Sequence, residues 1–307
     1  MIESIKTLIV IVLFTSQLTS QNILEFNVSI NKHVSGTLLK SEKEINSKIV
    51  ILIGGSGPVD RDGNQSFMKT DMLKKLAFSL SKKGLATFRY DKRIVNQIIA
   101  GNIDKNMMFD DFVDDAVSVV NYFKSKYKTI VIAGHSQGSL VGLLCLDPNV
   151  SGFISISGVG SPIDKIIESQ ISKTAPLLLE DTKKTLEIMR NGNITEDFPI
   201  ALSSIFNIDI QPFMINWMQY NPSDIIANVS IPCLIINGDK DLQVEVEEAK
   251  ILNNSAKNSE LLIVKNMNHV LVDIKGDELS NAKSYNNPNL EIVPSVCEKI
   301  IDFINKL

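Results

Sequence analysis

Ser136 stands at the centre of Gly134-His135-Ser136-Gln137-Gly138, a G-x-S-x-G pattern. On one side lies an apolar run that reads as a strand, TIVIAG (129–134), and on the other SLVGLLCL, which reads as a helix. A strand turning abruptly into a helix strains the backbone at the serine, and flanking glycines remove side chains that would clash there. Such a serine projects into a cleft at a helix N-terminus. Its hydroxyl is a poor nucleophile until a base takes its proton, and the usual base is a histidine oriented by a carboxylate.

Three histidines are available. His33 precedes the expected central sheet and His135 is directed elsewhere by the turn, which leaves His269 in KNMNHVL, just past the last expected strand. The carboxylate should follow the preceding strand, where INGDKDLQV (236–244) offers Asp239 and Asp241. Asp241 is the expected partner because it ends the turn before helix VEVEEAKIL, whereas Asp239 more naturally caps the turn itself. The expected catalytic residues are therefore Ser136, Asp241 and His269, in the chain order nucleophile, acid, histidine.

Attack by a serine on a carbonyl develops an oxyanion, which needs two backbone N–H donors. Gln137, directly after the nucleophile, supplies one. The stretch ILIGGSGPVDRDG (51–63) is placed to supply the other, with Ser56 as the expected donor and Gly57 as the alternative, since small residues let the backbone approach a substrate. Gly57 and Arg61 are carried as substrate contacts, although Arg61 and Asp62 more simply hold the loop through local hydrogen bonds. A phosphate cradle fails on spacing, as neither G-x-G-x-x-G nor G-K-[ST] is present. A calcium loop would use Asp60, Asp62, Asn64 and Asp71, but Gln65 stands where that loop needs glycine, and a strand precedes it. No metal site is expected, and DDFVDD (110–115) reads as a solvated helix face.

The elements that must hold these residues alternate along the chain. KIVILIGG (48–55) is a continuous apolar run, the pattern of a strand covered on both faces. A helix follows in TDMLKKLAFSLSKKG, then strand LATFRY (85–90), a long loop, a helix in MFDDFVDDAVSVVNYFKSKY and the strand before Ser136. After the SLVGLLCL helix and strand SGFISISG, residues 161–228 break the rhythm as a helical cap. IPCLIING (231–238), ELLIVKN (260–266) and the helix SVCEKIIDFINKL resume it. This alternation predicts an α/β fold, a mostly parallel sheet with helices on both faces and ligands beyond the carboxyl ends of its strands.

The chain has 307 residues, 44% hydrophobic and 21% charged, with a net charge of -4. This is globular composition, and it offers no basic stripe to neutralise a nucleic-acid backbone. MIESIKTLIVIVLFTSQLTS (1–20) has the layout of a secretory signal peptide; its apolar run is far short of the roughly 20 residues that span a bilayer. Export to a periplasm or beyond the cell is expected, without stable membrane insertion of the mature chain, 21–307. Cys145, Cys233 and Cys297 lie far apart in apolar surroundings and read as buried small hydrophobes.

GGSGPVDRDGN, FRYDKR, GHSQG, GDKDLQV and MNHVL, taken together over residues 24–307, resemble the α/β-hydrolase superfamily. The branch is that of secreted esterases and serine-aminopeptidase-like proteins with a GSGPxDRDGN loop. The resemblance implies an α/β-hydrolase fold with a helical cap and cofactor-free hydrolysis of a small-molecule carboxylic ester by a serine mechanism. A serine peptidase of the same fold, an acyltransferase and an inactive binding module are the alternatives. Ile94, Val95 and Asn96 replace the glycines and small residue common after RYDKR, so a different loop shape is expected there.

Overall fold

The computed structural model describes residues 22–42 and 47–307; the expected export segment, 1–20, lies outside the described residues. Among these residues, eight strands form one sheet: β1 (Ile23–Ser29), β2 (Ser35–Ser41), β3 (Lys48–Ile53), β4 (Ala86–Tyr90), β5 (Thr129–His135), β6 (Val150–Ile156), β7 (Cys233–Gly238) and β8 (Ser259–Val264). Their order is β1-β2-β4-β3-β5-β6-β7-β8. The six strands from β3 onward run parallel, and β1 and β2 are antiparallel additions at one edge.

Among the described residues, twelve α-helices surround this sheet. The first four are α1 (Met72–Ser81), α2 (Arg93–Ala100), α3 (Asp110–Phe123) and α4 (Gln137–Leu144). Between β6 and β7 come α5 (Ile163–Thr174), α6 (Leu179–Arg190), α7 (Ser203–Phe206), α8 (Gln211–Trp217) and α9 (Pro222–Ile226). The last are α10 (Val246–Ser255), α11 (Glu278–Ser284) and α12 (Pro294–Asn305).

The period of two along the strands explains the layers. Ile49, Ile51 and Ile53 of β3 join the cluster formed with α3, α4 and α10, whereas Val50 and Leu52 join the opposite one, with α1 and α12. Both faces of β3 are thus covered, and the strand has to be apolar throughout. On α3, Phe112, Ala116, Val119, Val120 and Phe123 recur at helical spacing and are buried. Each large side chain among them contributes roughly 1.5–3 kcal/mol by leaving water.

Three expectations needed correction. Residues 23–41, placed ahead of the sheet, form its edge strands; β1 is only half-buried, so its sequence carries no continuous apolar run. The stretch after Tyr90, read as a long loop, holds α2: RIVNQIIA contains no helix breaker, and Gly101 ends it at φ 67°. The acidic face of α3 is mostly engaged, since Arg93 pairs with Asp111 and Asp115, and Tyr220 Oη donates to Asp110 at 2.6 Å.

The helices between β6 and β7 are anchored at both ends. Glu248 accepts hydrogen bonds from the Gly160 and Ser161 N–H groups at 2.9 and 2.8 Å, fixing the exit from β6. Trp217 stacks on Phe109 with centroids 5.3 Å apart, and Asn216 Nδ2 donates to Asp110 at 3.0 Å, which docks α8 on the start of α3. No helix among the described residues is long and apolar enough to cross a membrane. All three cysteines are buried with free thiols.

Candidate active site

β5 lies at the centre of the sheet between β3 and β6, and Ser136 caps the turn from it into α4 at φ 53° and ψ -121°. A non-glycine residue in that region is strained by about 1–3 kcal/mol and is held there by its surroundings. Its N–H donates to the Ile156 carbonyl at 2.9 Å, and its carbonyl accepts from Ser139 N–H at 2.9 Å. The glycines are a packing requirement. A Cβ on Gly134 would stand 2.1 Å from the Gly138 carbonyl oxygen, and one on Gly138 would stand 2.4 Å from that of Ile53.

His269 follows β8 in a turn pinned by the fully buried Asn268, whose Oδ1 accepts from Val272 N–H at 3.0 Å and whose Nδ2 donates to Ser284 Oγ at 2.7 Å. The His269 imidazole meets Asp241 through Nδ1 and Oδ2 at 2.8 Å, and both side chains are buried. Asp241 Oδ1 accepts from the N–H groups of Gln243 and Val244 at 2.8 and 2.9 Å. Burial pushes the Asp241 carboxyl up, but the His269 charge and hydrogen bond and the two backbone donors outweigh it and hold the group below its usual range. Asp239 instead accepts from Asn266 N–H at 2.6 Å, a contact that ties the turn after β7 to the turn after β8.

Ser136 and His269 line one cavity of about 160 Å³, together with Ser56, Gln243 and Val270. Beyond Ser56, Gly57 and Gln137 opens a second, apolar cavity of about 620 Å³, walled by Ile94, Phe112, Phe213 and Trp217. Ser56 borders both. Among the described residues, no backbone acceptor takes the N–H of Ser56 or of Gln137.

Arg61 requires a correction, because it lines neither cavity. Its guanidinium pairs with Asp91 and reaches the side chains of Ser35, Thr37 and Asn27 over the edge strands, so its work is to brace the loop. Its neighbours do the same. Asp60 Oδ1 accepts from Asp62 and Asn64 N–H, each at 2.9 Å, Asp62 receives Arg89 Nε at 2.9 Å, and Asn64 bridges to Thr70 and Asp71.

Two residues have a part in the site that the sequence reading did not assign them. His135 does turn away from Ser136, but it lies under the same cavity, with Nε2 2.9 Å from the His269 carbonyl oxygen. Burial and the neighbouring His269 lower its pKa to about 3, so the ring stays neutral. Lys92 is the second: it is buried, and its Nζ lies 2.9 Å from the Gly55 carbonyl and 2.6 Å from Gln137 Oε1. The only local hint is a lysine two residues past the expected strand LATFRY (85–90).

No family model matches the chain. Esterase EstD of Thermotoga maritima is 24% identical over 245 residues, covering 74% of this chain and 55% of that protein. The chain thus spans about half the length of the curated relative it matches. Among solved structures, Est1E from Butyrivibrio proteoclasticus superposes with a TM-score of 0.55 at 16% identity, covering 92% of this chain and 99% of that one. The Pyrococcus furiosus esterase PF2001 gives 0.54 at 15% identity, over 97% and 95%. At these identities the likeness speaks to architecture, and with the eight-stranded sheet and its flanking helices it leads to one conclusion: the chain has the α/β-hydrolase fold.

Proposed function

We propose that this chain is a serine hydrolase that cleaves carboxylic esters through an acyl-enzyme on Ser136. The observation that carries the reading is the shared cavity of Ser136 and His269, with the far side of the His269 ring bonded to the buried Asp241. The names of the relative, Esterase EstD, and of the Pyrococcus furiosus esterase support it.

Asp241 keeps the proton of His269 on Nδ1, which leaves Nε2 as the base. Nε2 takes the Ser136 proton as Oγ forms a bond to the ester carbonyl carbon, and the carbonyl π electrons move onto oxygen. The Ser56 and Gln137 N–H groups receive that charge. Collapse expels the alkoxide, which takes the proton from His269, and water then repeats the sequence to release the acid.

The direction of proton transfer orients the ester. Its alcohol side has to lie within reach of His269, in the smaller cavity, which leaves the apolar cavity beyond Ser56 and Gln137 for the acyl group. Hydrolysis of p-nitrophenyl esters from acetate to long acyl chains tests the reading, with Ser136→Ala alongside. Turnover that the variant abolishes is expected. Equal turnover by the variant, or turnover of peptide amides in preference to esters, would overturn it.

A further inference from the structure

Lys92 leaves β4 between two tethered neighbours. Asp91 is held by Arg61, with Arg61 Nε 3.0 Å from its Oδ2, and Arg93 is held by Asp115 at 2.8 Å. These contacts hold the chain on either side of the lysine, and its side chain runs inward to the Gly55 carbonyl and to Gln137 Oε1. Its ammonium also sits 4.1 Å from the centroid of the Phe112 ring. Among the described residues no carboxylate pairs with it.

Burying a lysine without a counter-ion is costly, and a methionine would fill the same space without that cost. Burial alone lowers the Lys92 pKa to about 7. What the lysine touches explains its presence. The Gly55 carbonyl and the Ser56 N–H belong to one planar trans peptide and point in opposite directions. A donor 2.9 Å from that oxygen therefore sets where the Ser56 N–H points, and a cation on the oxygen strengthens that N–H as a donor. The bond to Gln137 Oε1 ties the first residue of α4 to the same ammonium.

We propose that Lys92 is the positioning residue of the oxyanion site: its buried amino group, by donating to the Gly55 carbonyl and to Gln137 Oε1, aligns and polarises the Gly55–Ser56 peptide and anchors Gln137. The two backbone donors on separate elements then converge on one substrate oxygen. This rests on the serine-hydrolase reading of Ser136. Lys92 touches neither substrate nor Ser136, so it acts only through the donors it holds. Its effect belongs to the transition state, with little share in ground-state binding.

The test compares wild type, Lys92→Met and Ser136→Ala on a short p-nitrophenyl ester and with an alkylboronic acid, which adds to a serine as a tetrahedral anion. Lys92→Met is expected to lower kcat by about 10–100-fold, part of the 10²–10³ that one lost donor costs. KM should stay within about threefold, boronate affinity should fall in step with kcat, and Tm should hold or rise. Unchanged kcat and boronate affinity overturn the proposal, as does a loss that falls on KM and Tm instead. If Lys92→Met does not fold, Gln137→Leu decides, because it removes the side-chain anchor and keeps the backbone donor: reduced boronate affinity supports the proposal and wild-type affinity overturns it. Ser136→Ala separates the two levels. Wild-type turnover in that variant sinks the reading of Ser136, whereas an inactive Ser136→Ala beside a wild-type-like Lys92→Met sinks only the role of Lys92.

Discussion

His135 donates its Nε2 proton to the backbone carbonyl of His269 at 2.9 Å, and the two rings lie 4.6 Å apart. The residue before Ser136 is thereby bonded to the expected base, so the ends of β5 and β8 are joined beneath the cavity. Because a carbonyl only accepts, His135 carries a proton on Nε2, and burial beside His269 keeps a second one off the ring, which remains neutral.

That neutrality sets a direction for acid stability. The folded His135 takes a second proton only near pH 3, while the unfolded residue does so near 6.5. Between these values the unfolded chain binds a proton that the folded one does not, so stability falls on acidification, by about 1.4 kcal/mol per pH unit from this residue. Urea unfolding at pH 7.5 and 5.0 should show a smaller loss for His135→Gln, whose amide keeps a donor but does not titrate. Equal losses would mean that His135 is not buried neutral.

Asp241→Asn should fold, since an amide Oδ1 still accepts from Gln243 and Val244. It should lower kcat by roughly 10⁴ by removing the charge that holds the His269 tautomer. Steady-state kinetics at pH 7.5 decide, and a loss below tenfold would remove Asp241 from the mechanism.

Gly134→Ala and Gly138→Ala place a Cβ against backbone oxygen at 2.1 and 2.4 Å, where nothing flexible can yield. Each should cost roughly 3 kcal/mol or more. Gly192→Ala, at φ 78° with open space around it, should cost only about 1–2 kcal/mol. Thermal melts of the three variants measure the contrast.

Ile103 lines the apolar cavity and is 55% exposed, so it can be enlarged without disturbing the core. Ile103→Trp should leave Tm unchanged and lower the ratio of long-chain to short-chain ester turnover about tenfold or more. An unchanged ratio would place the acyl group elsewhere.

The sequence by itself determined what depends on neighbours in the chain. The covered strand KIVILI had to be apolar on both sides, the turn at Ser136 needed glycine before and after, and the short span from β7 to its turn put Asp241 where His269 meets it. Only the tertiary structure decided the rest. The half-buried β1 and β2 show no periodic signal until β4 pairs with β2. Arg61, legible as a charge beside the site, faces Asp91 because the loop turns it toward the edge strands. Lys92 and His135 gain their meaning from acceptors 37 and 134 positions away, at Gly55 and His269. Hydrogen bonds across such separations leave no local pattern, because the fold alone brings their partners within 3 Å.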